Sequence, residues 1–248
     1  MHQNGKFLAF DTATDVMSVA VTDGSRVWQH TGPGGAKAST TLIPTVMALL
    51  ADAGLALGDL QAIAFGRGPG SFTGLRTACA VAQGLAFGAN SGAGVPVLPI
   101  DTLMAVAEEA RLAHESAHIT ALLDARMDEM YVQRYACHQG VLTALGTCQL
   151  IRPEHLEPDP TSLYAGNVFE VYAGRLPAGL NRLTCLQVLP TASALLRLAP
   201  LLAASGQCVR ADQALPLYVR DKVAQTTSER EAAKALKLLA AVPTADAP

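Results

Sequence analysis

The chain has 248 residues, of which half are hydrophobic, and a formal net charge of −3. Because lysine and arginine form no run and no stripe with aromatic residues, it lacks the electrostatic footprint of a protein that binds nucleic acid by itself. The five cysteines are odd in number, widely spaced and free of any C-x-x-C pair, so we expect neither a disulfide framework nor a zinc knot.

Hydropathy gives no indication of a membrane span or a secretion signal. The longest apolar region, residues 192–204, contains Arg197 and Pro200 and is shorter than the roughly 20 residues that cross a bilayer. The apolar run at residues 7–10 ends at Asp11 and is too short for a signal peptide. We therefore expect a cytoplasmic globular protein.

Three β-rich runs occupy residues 6–11, 16–22 and 26–30, and they are joined by a Thr-Ala-Thr-Asp turn and an Asp-Gly turn. This pattern predicts a three-stranded antiparallel meander. A helix is predicted at about residues 39–53, because leucines and a valine recur there on one helical face and a glycine follows.

A glycine-rich stretch at residues 66–76 connects a predicted strand at 62–66 to a predicted helix at 72–88. Its glycines permit positive φ and close approach to another group, and its proline stiffens the turn. Its serine is placed to cap the helix, whose N-terminal N–H groups would favour an anion. The loop residues that we single out are Gly66, Gly68, Pro69, Gly70 and Ser71.

The known phosphate-binding motifs fit this loop poorly. A P-loop requires lysine and then serine or threonine after its last glycine, whereas Gly70 is followed by Ser71 and Phe72. The dinucleotide fingerprint requires a third glycine where Ser71 stands. The spacing to the next glycine also argues against a nucleophile elbow at Ser71, for which a capping role is preferred. Both an anion site and a tight turn that packs the helix against its sheet stay open.

The following segments complete the first half and begin a less regular second half. A strand at residues 95–100 and a helix from about residue 102 give the order βββαβαβα, which is that of a ribonuclease-H-like half-unit. Beyond it, residues 141–151 could form a strand pair, residues 161–166 a strand and residues 192–204 a helix.

The first strand and turn recur at mid-chain with a constant offset of 113, which aligns Asp11 with Asp124 and Asp15 with Asp128. Both segments place an aspartate after an apolar strand and an extended run after the turn. A duplicated half-unit is the simplest explanation. The sequence therefore predicts an α/β protein with a first lobe at residues 1–103, a smaller second lobe at 104–220 and a flexible, partly helical tail at 221–248.

Four segments together carry a family resemblance: residues 66–76 with the helix behind them, Phe10-Asp11-Thr12-Ala13-Thr14, Asp124-Ala125-Arg126-Met127 with Glu129 and Tyr131, and Pro216-Leu217-Tyr218-Val219-Arg220. In this order they resemble the TsaB (YeaZ) family over almost the whole chain. The resemblance implies a duplicated ribonuclease-H-like fold of the actin-like ATPase and sugar kinase superfamily. It also implies a partner subunit of the bacterial machinery that makes threonylcarbamoyladenosine beside the tRNA anticodon.

In active members of that superfamily, nucleotide phosphates lie between two strand-turn-strand corners. By resemblance, the nucleotide-proximal corner residues here are Asp11, Thr12, Asp124 and Arg126. Where a glycine would let the backbone wrap a phosphate, this chain has Ala13 and Arg126, and Gly166 stands alone where relatives carry a glycine-rich adenosine loop. We expect a degenerate cleft, with ATP and divalent metal bound by partner subunits, although Arg126 could pair with a phosphate that another subunit holds.

One local motif is typical of a metal centre. His114-Glu115-Ser116-Ala117-His118 matches the H-E-x-x-H pattern of zinc proteases. That chemistry requires a single helix, whereas His118 directly precedes an apolar run that indicates a strand, so we expect a solvated loop at a helix end. On the first long helix, where TsaD relatives carry a metal-binding histidine pair, this chain has Ala38-Ser39-Thr40-Thr41-Leu42.

By resemblance, the first two long helices meet a paralogue in a helix-helix interface. The helix at residues 72–88 has small residues on nearly every side, which permits close approach of a second backbone. We expect the partner surface to comprise Thr41, Thr45, Leu75, Ala78, Ala82 and Leu85.

The principal hypothesis is a non-catalytic scaffold subunit that binds a TsaD-like catalytic subunit and a TsaE-like ATPase. Such a subunit would meet tRNA through the complex and could pair with itself when alone. The first alternative is an autonomous ATP-dependent phosphotransferase of the same fold, against which Ala13 and Arg126 count. The second is a metalloprotease that uses His114, Glu115 and His118.

Overall fold

The first of two sheets has five strands and carries two long helices on its outer face. The computed structural model describes residues 5–90 and 94–220. The elements of this first lobe are β1 (Phe7–Asp11), β2 (Val16–Thr22), β3 (Val27–Pro33), α1 (Ala38–Ala53), β4 (Ala62–Gly68), α2 (Phe72–Gly88) and β5 (Val97–Asp101). The strand order is β3-β2-β1-β4-β5, with β1 antiparallel to β2 and parallel to β4. The predicted meander and both predicted helices are confirmed.

The second sheet repeats this topology. Its strands are β6 (His118–Arg126), β7 (Glu129–His138), β8 (Val141–Ile151), β9 (Ser162–Gly166) and β10 (Cys185–Gln187). The order β10-β9-β6-β7-β8 places β6 antiparallel to β7 and parallel to β9, as β1 is to β2 and β4. The duplication that the offset between Asp11 and Asp124 predicts is confirmed, because these residues lie near the ends of the equivalent strands β1 and β6.

The second lobe is smaller because it has almost no outer helices. A 3-10 turn at Pro153–His155 stands where the first lobe has α1, and the four-residue helix that would be equivalent to α2 spans Val168–Val171. Residues 141–151 form one strand and not a pair, so that expectation is wrong. Gly146 has a φ of +78° and the pairing with β7 shifts register there, which makes a bulge. Glycine is typical of both bulges and turns, so the sequence pattern did not separate them.

Two helices lie between the sheets and are exchanged between the lobes. The helix α3 (Thr102–Ala113) packs mainly on β6, whereas the last helix, Ala192–Ala204, packs on β1, β2 and β4. Their buried apolar residues join both sheets into one core. A boundary after residue 103 therefore separates the strands of the two sheets, but the last helix packs on the first sheet and not on the second. The predicted tail, residues 221–248, lies outside the described residues.

The helices α1 and α2 cover the outer face of the first sheet. Along α2, Ala78, Ala82 and Ala86 belong to the same buried cluster as Phe10 and Phe65 of the sheet. Small helix residues let the helix lie close to a sheet whose own side chains are large, so the packing leaves few voids. Within the described residues, no helix combines the length and the hydropathy of a membrane span.

Candidate functional site

The turn between β1 and β2 forms the first corner of the cleft, and a buried carboxylate lies at its base. Asp11 is only 1% exposed. Its Oδ1 accepts the N–H of Ala13 at 2.8 Å, and its Oδ2 accepts the hydroxyl of Thr102 at 3.2 Å. Burial raises the pKa of Asp11 to about 6, although both hydrogen bonds act in the opposite direction. A carboxyl group with this pKa changes its charge near neutral pH.

The turn between β6 and β7 forms the second corner, where an aspartate accepts the N–H of the residue two positions later as Asp11 does. Asp124 Oδ1 accepts the N–H of Arg126 at 2.8 Å and the hydroxyl of Tyr172 at 2.7 Å. The Asp124 N–H donates to the side-chain Oδ1 of Asn167 at 2.8 Å. The Tyr172 hydroxyl has a raised pKa because of burial and the nearby carboxylate. This aspartate is thus held by groups from the second lobe alone.

The guanidinium of Arg126 joins the two corners. It pairs with the carboxylate of Asp15 in the first lobe, and its Nε lies 3.5 Å from Asp124 Oδ2 in the second. Its pKa is raised above the ordinary arginine value, chiefly by the hydrogen bond to Asp15. Arg126, Met127 and Asp128 all have φ near +60°, a region that residues with a side chain seldom occupy. The arginine that the sequence places at a glycine position therefore bridges the cleft.

The glycine loop lies against the first corner. The N–H of Ser71 donates to the carbonyl oxygen of Ala13 at 2.7 Å, and the hydroxyl of Thr12 donates to the carbonyl of Gly74 at 2.8 Å. A Cβ at Gly70 would lie 2.6 Å from both the Cβ and the carbonyl oxygen of Ala13. The predicted close approach is confirmed, and the group approached is the chain's own corner. The loop therefore shows the tight-turn packing.

Other loop residues have related roles. Gly66 leaves space for the Asp11 carboxylate, and Gly68 adopts a φ of +122° next to a cis peptide bond to Pro69. Ser71 occupies the N-cap position of α2 as predicted, but its hydroxyl makes no capping hydrogen bond. In the second lobe, Gly166 has a φ of +152° and lies against the carbonyl of Leu122, so its lack of a side chain serves strand packing.

A segment that the sequence analysis did not place at the cleft forms one of its walls. We call residues 214–220 the strap. Its Tyr218 ring lies 5.5 Å from the ring of Phe72, and its Arg220 pairs with Glu129 at 2.8 Å. Together with both corners the strap lines an open cavity of about 290 Å³. The sequence does contain a family motif at residues 216–220, but a motif of this kind does not reveal which residues the segment contacts in the folded protein.

Comparisons with known proteins agree with this architecture. A family model for TsaD, described as tRNA N6-adenosine threonylcarbamoyltransferase, matches residues 31–227. The tRNA threonylcarbamoyladenosine biosynthesis protein TsaB of Escherichia coli (strain K12) is 33% identical over an alignment of 227 residues that covers 88% of this chain and 96% of that protein. The chain belongs to the TsaB (YeaZ) family. A further TsaB, from Haemophilus influenzae, is 41% identical over 129 residues, 52% of this chain and 53% of that protein.

A solved structure extends the likeness to three dimensions. YeaZ from Pseudomonas aeruginosa superposes with a TM-score of 0.78 at 38% identity, covering 87% of this chain and all of that one. The duplicated actin-like fold expected from the family resemblance is thereby confirmed.

The H-E-x-x-H residues do not form the helical arrangement that a zinc protease needs. Helix α3 ends at Ala113, His114 has extended backbone, and His118 is the first residue of β6. The predicted break between the two histidines is confirmed, and the metalloprotease alternative loses its structural basis. In residues 5–90 and 94–220 no three histidine, cysteine or acidic side chains are grouped as metal ligands would be.

The expected partner surface is partly wrong. Leu75, Ala78 and Ala82 are at most 1% exposed in this chain alone, so they face the lobe's own core and cannot meet a partner. Thr41 is exposed, and Thr45 and Leu85 are half-buried. Alanines occur on several sides of α2, and the sequence pattern therefore did not reveal which side packs on the sheet.

Proposed function

We propose that this chain is a non-catalytic subunit in the biosynthesis of threonylcarbamoyladenosine in tRNA, the pathway named for its TsaB relatives. The observation that carries the proposal is that the chain's own groups occupy both phosphate corners. Ala13 is packed against Gly70 and Ser71, and Arg126 reaches across to Asp15. A phosphate between the corners would have to displace these contacts.

In the proposal, ATP and divalent metal are bound by a TsaE-like ATPase and a TsaD-like catalytic subunit. The tRNA is then reached through the complex, which fits the net charge of −3. The phosphotransferase alternative requires the opposite, namely steady-state ATP turnover by the isolated chain. We expect no such turnover. Steady-state ATP hydrolysis by the pure chain, at a rate that a TsaD-like protein does not change, would refute the scaffold proposal.

The partner surface in this proposal is the outer face of α1 and α2. Large apolar side chains are exposed there: Ile43 by 46%, Met47 by 49% and Phe87 by 73%. Ala80 and Gly84 lie on the exposed side of α2, and a Cβ at Gly84 would meet no other atom. Small residues beside large apolar ones permit close packing by helices of a paralogue.

The interface can be tested by co-elution with a TsaD-like subunit. We expect Met47→Arg and Ala80→Arg to fold normally and to weaken the complex by about a hundredfold, since each places an unpaired charge in an apolar contact. Thr143→Arg, on an exposed position of β8 in the other lobe, is the matched control and should bind as the wild type does. Wild-type affinity for both helix variants would place the interface elsewhere.

A further inference from the structure

The strap begins on the first lobe. The carbonyl oxygen of its buried first residue, Ala214, accepts hydrogen bonds from the Gln83 amide at 2.9 Å and the Cys79 thiol at 3.2 Å, both on α2. Just before it, Val209 forms a bridge with Val97 of β5. The chain has therefore returned completely to the first lobe before the strap starts.

The middle of the strap lies backbone to backbone against the glycine loop. The N–H of Leu217 donates to the carbonyl oxygen of Arg67 at 2.7 Å. A Cβ at Gly68 would lie 2.6 Å from the Leu217 carbonyl oxygen, so this position tolerates only glycine without movement. The Arg76 guanidinium lies 3.7 Å above the Phe72 ring and donates to the Tyr218 hydroxyl at 3.2 Å.

The strap ends on the second lobe. The Arg220 side chain is 13% exposed and pairs with Glu129 at 2.8 Å. Its Nη2 donates to the carbonyl oxygens of Ala125 and Arg126 at 3.1 and 3.2 Å. These carbonyls belong to the β6–β7 turn, whose consecutive left-handed residues persist only where the surroundings hold them. The guanidinium supplies such a hold.

We propose that the strap is a clamp that sets the separation of the two lobes at the cleft, and that Arg220 is the residue that fastens it. The cleft is then held in one degree of closure by the polypeptide itself. A clamp of this kind suits a subunit that must present a fixed shape, because it restricts the movement of one lobe relative to the other.

A second contact also crosses the cleft, but it is the weaker one. The ion pair between Arg126 and Asp15 joins side chains that are 69% and 80% exposed, and exposed pairs of this kind contribute little. The Arg220 side chain is only 13% exposed and also donates to two backbone carbonyls, so water competes less for its donors. The strap is therefore the contact whose loss should change the cleft.

The test measures the distance between the lobes by pulsed electron-spin resonance. Spin labels are attached through unnatural amino acids at Asp52 on α1 and Thr143 on β8, both exposed, because the chain has five native cysteines. We expect one narrow distance distribution for the wild type and a broader one for Arg220→Ala. Arg210→Ala, which removes an exposed ion pair before the strap, is the control and should match the wild type.

Hydrogen exchange of the strap gives the second readout. Arg220→Ala should speed exchange of the Leu217 amide at least about tenfold, because releasing one end loosens the middle. An unchanged distance distribution in a folded Arg220→Ala variant overturns the proposal, even if exchange is faster, since Arg220 would then be only a local anchor. Should Arg220→Ala fail to fold, Arg220→Gln removes the guanidinium and keeps part of the side chain, and a wild-type distribution for it also overturns the proposal.

Discussion

Asp11 and Asp124 make the same hydrogen bond in the two lobes, since the Oδ1 of each accepts the N–H of the residue two positions later at 2.8 Å. Their surroundings differ. Asp124 has Arg126 beside it, whereas Asp11 lies beneath the glycine loop and makes no ion pair within the described residues. The two corners therefore share this hydrogen bond, but the buried Asp11 carboxyl has no cation beside it among the described residues.

This burial predicts a pH dependence of stability. The pKa of Asp11 is raised from 3.8 to about 6, so the folded state binds the proton more tightly than the unfolded state. The stabilisation from the protonated Asp11 carboxyl is thus fully present below about pH 4. It is lost as pH rises through about 6, which lowers the free energy of unfolding by roughly 2–3 kcal/mol. Asp11→Asn keeps an acceptor for Ala13 and cannot ionise. In urea unfolding, the free energy of unfolding of Asp11→Asn minus that of the wild type should increase by that amount between about pH 4 and pH 8.

If the two stability curves run parallel across this range, the Asp11 carboxyl does not titrate as its burial requires. Other groups titrate in both proteins, so the difference between the curves is the quantity to measure.

The glycine loop gives a second prediction, based on two glycines with opposite surroundings. Gly70→Ala should destabilise the fold by about 2–3 kcal/mol, because its methyl would meet backbone atoms of Ala13 that cannot move aside. Gly84→Ala, within α2, has open space around the new methyl and should stabilise by about 0.5–1 kcal/mol through helix propensity. Thermal unfolding of the two variants checks both signs. Equal effects would mean that the loop does not contact the corner.

Much of the first lobe follows from the sequence alone, because its signals are local. The bounds of α2 are predicted to the residue, since a glycine loop and Ser71 mark its start. The duplication is also readable, because both copies keep an aspartate after an apolar strand. Contacts between distant segments are not readable in this way. The position of the strap depends on where residue 217 meets residue 67, and no local pattern encodes that pairing.

The side of α2 that faces the core is a similar case, and it leads to a third prediction. Ala78 is fully buried while Ala80 is exposed, although both are alanines in one helix. Ala78→Arg should fail to give folded protein, since it would bury an unpaired charge among Phe10 and Phe65. Ala80→Arg should change the free energy of unfolding by less than about 0.5 kcal/mol. Circular dichroism of the purified pair decides this, and an unfolded Ala80→Arg protein would contradict the assigned face.

The last prediction concerns Arg126, where backbone strain and an ion pair act in opposite directions. Its φ of +59° favours glycine, so Arg126→Gly should recover about 1 kcal/mol of left-handed strain while losing an exposed ion pair worth less than about 1 kcal/mol. Arg126→Ala loses the same pair and keeps the strain. We therefore expect Arg126→Gly to be close to the wild type in urea unfolding and Arg126→Ala to be less stable by about 1 kcal/mol. Equal stability of the two variants would show that the turn relaxes out of the left-handed region once the guanidinium is gone, and the ion pair would then be what holds the second corner in shape.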